Sequence, residues 1–156
     1  MRFSQILNSE RILVDLDGGF VREKKDAMRL LARLLAPAVE MEQNEVESLL
    51  VEREKLQSTG IGDGVAIPHA SADAAPRQAA ALLLCPHGVS FDSIDGVPVS
   101  IIFGVIGPRR ATGDHLRVLA RISRLLRDGV TRERLVSAAS SDAAFALIEA
   151  QDQAMG

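Results

Sequence analysis

Three side chains stand where their types could do chemistry: His69, Arg53 and His115. His69 follows the run Gly60-Ile61-Gly62-Asp63-Gly64-Val65-Ala66-Ile67-Pro68, in which a short strand over 64–68 is expected to end at Pro-His. Glycines let backbone approach a ligand closely, and proline fixes the backbone just ahead of the histidine. An imidazole titrates near neutrality and can act there as base or nucleophile. Arg53 continues the stripe Val46, Leu49, Leu50 at i, i+3, i+4 and i+7, so it projects inward from the last turn of a helix ahead of the glycine run. There it suits a planar, multidentate grip on phosphate. Snorkelling that stabilises the helix end is an equal alternative.

His115 opens the stripe His115, Val118, Leu119, Ile122, Leu126 in the first turn of a helix that Thr112 is expected to cap. Free N–H groups and the positive dipole end favour an anion there, and they favour a neutral imidazole with one N–H to donate. A core histidine bonded to a carbonyl is the plainer reading. His87, between Pro86 and Gly88, reads as part of an ordinary turn. Arg117, Arg121, Arg124 and Arg127 read as a solvated helix face.

Other chemistries find no support. The glycines lack a following Gly-Lys-Ser/Thr and lead into a strand rather than a helix, which excludes the P-loop and the dinucleotide fingerprint. There is no His-Glu-x-x-His and no Gly-x-Ser-x-Gly. One cysteine, Cys85, excludes an internal disulfide and a cysteine-cluster metal site. Two histidines with an acid could still hold zinc, but the dipole placement of His115 disfavours it; no cofactor and no metal are expected. With 3% aromatics, no Trp, no Tyr and a net charge of −3, neither base stacking nor general phosphate-backbone binding is expected, so nucleic acid is excluded as a partner. No run approaches a membrane span or a secretory signal, so the reading is a cytoplasmic protein, peripheral to membrane partners at most.

The elements that must position these groups follow from periodicity. Strands are expected at 12–16, 64–68, 79–85 and 99–105, and helices at 21–36, 42–54, 112–127, 131–139 and 142–150. Ser71–Ala75 reads as a small-residue loop and Asp95-Gly96 as a turn. The whole, residues 1–156, reads as one α/β domain: a three-layer α/β/α sandwich with a mixed central sheet and helices on both faces.

The segment from Arg53 through Ser58-Thr59-Gly60-Ile61-Gly62 to Pro68-His69, with Phe91-Asp92-Ser93-Ile94-Asp95-Gly96 and His115-Leu116-Arg117, resembles the fructose/mannitol-type EIIA domains of the bacterial phosphotransferase system, most of all their stand-alone nitrogen-regulatory branch. The resemblance spans essentially the whole chain. It implies that His69 accepts a phosphoryl group from a phosphohistidine HPr-type carrier, with Arg53 and His115 lining the same pocket. It implies a mainly regulatory output through target proteins, or alternatively onward donation to a separate sugar-specific EIIB domain. Gln57 stands where the family often has glycine, and Ser71 where it often has a basic residue. A docking rim is expected along 59–71 and near 109–115.

Overall fold

The computed structural model describes residues 1–156. Its centre is a pair of long antiparallel strands, β5 (Ala79–Val89) and β6 (Val99–Pro108), with Leu82 opposite Phe103 and Leu83 opposite Ile102. Residues 79–85 of β5 and 101–106 of β6 are buried, near-continuous apolar runs because both faces of the sheet are covered there. Leu83, Cys85, Ile102 and Ile106 point into one core, and Leu82, Leu84, Ile101, Phe103 and Val105 into the other.

The first core lies under α1 (Lys24–Leu35) and α2 (Gln43–Leu56). The second lies under α3 (Thr112–Arg127), α4 (Gly129–Val136) and α5 (Ser141–Met155), joined by the N-terminal 3-10 turn Phe3–Gln5. The sheet is completed by β1 (Ile12–Val14), parallel to β5, and by β2 (Gly60–Gly62), antiparallel to β3 (Val65–Ala66). β3 and then β4 (His69–Ala72) run parallel to β6, one after the other along the same edge. This is the expected α/β/α arrangement around a mixed sheet. No helix is long and apolar enough to cross a membrane.

Several boundaries differ from the sequence reading, each for a local reason. The strand expected at 64–68 breaks after Ala66, because Pro68 has no N–H to give; it resumes at His69, so Ser71 and Ala72 are strand, not loop. β1 stops at Val14 because the Asp15 carboxylate turns inward to accept the N–H groups of Phe20 and Val21. α1 begins at Lys24, after Asp26 has taken the N–H groups of Arg22 and Glu23. β5 continues past Cys85 through an irregular register, so His87 belongs to a strand rather than a turn; its Nε2–H donates to Val21 O at 2.7 Å. Thr112 is the first residue of α3, not its cap, and its hydroxyl donates to Arg109 O. Arg121 is no solvated residue: it is paired with the buried Asp152 of α5. The last two helices start earlier than expected, on Asp128 and Ser140, whose side chains accept Val130 and Ala143 N–H.

Candidate functional site

His69 opens β4, level with Val105 of β6. Ala70 and Ala72 face the α1–α2 core, so the strand's alternation turns His69 to the opposite side, half-buried. Its Nδ1 lies 2.7 Å from Ile67 O, a carbonyl that can only accept, so Nδ1 carries the proton and Nε2 the lone pair. Burial first, and the Arg53 charge after it, hold His69 below the ordinary value, against an opposing pull from the Ile67 carbonyl and Glu54. The imidazole is therefore neutral at pH 7 and open at Nε2.

His115 is buried in the first turn of α3, with its ring centroid 5.9 Å from that of His69 and the planes at 52°. Burial, then His69, hold it too below the ordinary value. Its Nδ1 meets Gln78 Oε1 at 3.0 Å. α3 starts directly after the turn that follows β6, so His115 stands in the turn whose first amides have no helical partner.

Arg53 is half-buried at the end of α2, where Nη1 donates to Gln57 O at 3.2 Å. It makes no ion pair, so its remaining donors are uncommitted, and its charge is felt at His69. The inward stripe of α2 is Val46, Leu50 and Glu54, with Arg53 beside it rather than on it.

Glu54, like Gln78, is a residue that the sequence reading missed. Its buried carboxylate accepts the Thr59 N–H at 2.8–2.9 Å and the Thr59 hydroxyl at 2.5 Å, while Lys24 approaches to 3.7 Å. Thr59 O in turn accepts the Ile67 N–H at 3.0 Å. A continuous chain of contacts thus runs from Lys24 through Glu54, Thr59 and Ile67 to His69 Nδ1. Glycine is needed at 60 because a Cβ there would meet Ser93, and at 62 because φ is +98° beside Asp95.

A surface groove of about 520 Å³ lies behind the histidine pair, between Lys24, Met28, Val51, Glu54 and Lys55, and neither histidine lines it. Its lysines are already met by Glu54, Asp92, Glu23 and Glu52. The one trio of metal-ligating side chains is Asp15, Cys85 and His87. Asp15 is spent on backbone N–H groups and His87 on Val21 O, and burial with Asp15 pushes the Cys85 thiol up to about 12. That trio latches the 15–21 turn and is separate from the histidine pair.

The family described as phosphoenolpyruvate-dependent sugar phosphotransferase system, EIIA 2, matches residues 5–151. The chain is 36% identical, over 95% of both chains, to the nitrogen regulatory protein of Pseudomonas aeruginosa. The crystal structure of nitrogen regulatory protein IIA-Ntr from Neisseria meningitidis superposes with a TM-score of 0.85 at 34% identity, covering 92% of this chain and 97% of that one. IIA mannitol from Escherichia coli gives a TM-score of 0.75 at 25% identity, covering 91% and 98%.

Proposed function

The chain belongs to the EIIA 2 family of the phosphoenolpyruvate-dependent sugar phosphotransferase system, and from that premise we propose that residues 1–156 act as one phosphocarrier unit, with His69 as the phosphoryl acceptor. The observation that carries this is the Nδ1–H of His69 resting on Ile67 O. It leaves Nε2 as the one ring nitrogen with a free lone pair, beside a second imidazole and an arginine without a carboxylate partner.

In the transfer, His69 Nε2 attacks the phosphorus of a phosphohistidine on an HPr-type donor. The new N–P bond forms as the donor's N–P bond breaks, and the bonding pair returns to the donor's ring nitrogen. Such a transfer needs alignment and charge stabilisation more than covalent help. Arg53 and the first-turn amides of α3 supply fixed positive ends around the three equatorial oxygens, with the His115 ring beside them. Leu56, Ile61, Ile94 and Leu116 are exposed, and Arg109 and Arg110 lie next to α3. An apolar rim with scattered charges suits the short-lived docking of a donor protein.

The output is mainly regulatory, exerted in the cytoplasm through proteins that respond to the charge on His69, since a phosphate adds nearly two negative charges. Resemblance to nitrogen regulatory proteins at 36% and 34% identity over 95% and 92% of the chain favours this over donation to a sugar-specific EIIB. The sugar-specific relatives stand at 33% over only 75% of the chain, or at 29% and 25% over more of it. The test is labelling by a phosphorylated HPr-type carrier. The wild type gains one acid-labile phosphate and His69→Ala gains none; equal labelling of the variant overturns the assignment. Chasing the label into an added EIIB measures the sugar branch directly.

A further inference from the structure

Gln78 sits just ahead of β5, and its side chain reaches back across the end of β6 to the second histidine. Its Oε1 lies 3.0 Å from His115 Nδ1, while its Nε2 is buried without a partner. An unpaired buried amide nitrogen costs on the order of 1–3 kcal/mol, so packing alone does not account for the side chain's place. Space has been left for it as well. A Cβ on Gly107 would fall directly on the Gln78 amide, so this part of β6 must be bare for the amide to lie there. Three separate elements therefore converge on one contact: Gly107 of β6, Gln78, and His115 of α3.

We propose that Gln78 is a positioning residue for phosphoryl transfer: its amide oxygen holds the Nδ1–H of His115, so that Nε2 of that ring is the nitrogen turned to the phosphate on His69. The proposal rests on His69 being the phosphoryl acceptor. An amide oxygen accepts and cannot donate, so only two forms of His115 fit it: neutral with Nδ1–H, or doubly protonated. A lone pair on Nε2 would repel the phosphate oxygens. The arriving phosphoryl group is therefore matched by a proton taken from solvent onto Nε2, which then donates to a phosphate oxygen. The imidazolium is held at both ends, by Gln78 and by the phosphate.

The other charged groups near His115 do not replace this arrangement. His69 faces it from β4, and the Arg53 charge at the end of α2 acts on His69. Asp114 beside it on α3 is taken by Arg117 at 2.8 Å. In the preceding turn Arg109 is paired with Asp73 at 3.5 Å, and Arg110 is exposed. At rest, burial and His69 keep His115 neutral, which leaves the proton to be added when the phosphate arrives.

Two readouts test the proposal. In long-range 1H–15N spectra of the unphosphorylated protein, the wild type shows His115 as the Nδ1–H tautomer, and the phosphorylated protein shows it doubly protonated. Gln78→Leu mixes the tautomers and slows transfer from a phosphorylated HPr-type carrier by ~10- to 100-fold, the scale of an outer partner that orients a histidine. Gln78→Glu, which keeps an acceptor at the same reach, restores both. Gly107→Ala displaces the amide without removing it and reproduces the Gln78→Leu result, which covers the case in which that variant folds poorly. A Gln78→Leu protein that keeps a pure Nδ1–H tautomer and the wild-type rate overturns the proposal. Failure of the wild type to accept label would overturn the phosphocarrier reading and the transfer role with it, whereas the resting spectrum judges the Gln78 contact separately.

Discussion

The reactive nitrogen of His69 is chosen by the chain's own carbonyl at Ile67, and that carbonyl is held by contacts that begin at Lys24 on α1. Charge and burial then decide the protonation of the pair. Both His69 and His115 are held below their ordinary value of 6.5, chiefly by burial. Between the folded value and 6.5 the unfolded chain binds protons that the folded chain refuses. Stability therefore rises with pH across that window, is complete above it, and is lost as pH falls. Urea unfolding from about pH 7.5 to about pH 5.5 checks this: the wild type weakens as pH drops, and a His69→Asn, His115→Asn double variant loses most of that slope. His69, Arg53 and His115 were legible in the sequence because each stands next to a local signal, a glycine–proline run or a helical stripe. Glu54 and Gln78 were not. Glu54 looked like one more glutamate in an acidic helix, and its partner Thr59 lies past the helix end. Gln78 meets His115 across 37 positions, a contact that no spacing rule encodes.

At the scale of elements, each helical layer depends on the relief of the sheet beneath it. Gly104 of β6 leaves the space into which Leu31 of α1 descends, since a Cβ at 104 would meet Leu31 Cδ2 at 2.7 Å. Gly104→Val is expected to lower stability by ~1–3 kcal/mol through overpacking, read as an earlier urea midpoint. Below that transition the protein should still accept phosphate, since Val105, next along the strand, faces the opposite core. Long apolar strands and striped helices were legible because burial on one or two faces writes itself into periodicity. The split between β3 and β4 was less so. Proline reads as an end, yet β6 offers Val105 N–H to Pro68 O at 2.9 Å and carries the pairing across the gap.

Across the whole molecule, the chain ends are joined over the second core. Asp152 of α5 accepts the Phe3 N–H at 2.7 Å and pairs with Arg121 of α3, while Arg2 donates to Asp152 O. Asp152→Ala leaves a largely buried guanidinium without its carboxylate and the Phe3 amide without a partner. It should cost ~3–5 kcal/mol, measured by urea unfolding, with faster hydrogen exchange in the N-terminal turns as the local sign. One strand crosses this whole body and has a separate consequence for the site. β6 sets the height of His69 through Val105, and the same unbroken backbone goes on through Arg109–Ala111 to carry His115. The gap between the imidazoles is thus a measured length of chain, with β6 as its ruler. One residue added to or taken from that turn would rotate the start of α3 by about 100°. Both histidines would survive in the sequence, and the pair would be gone.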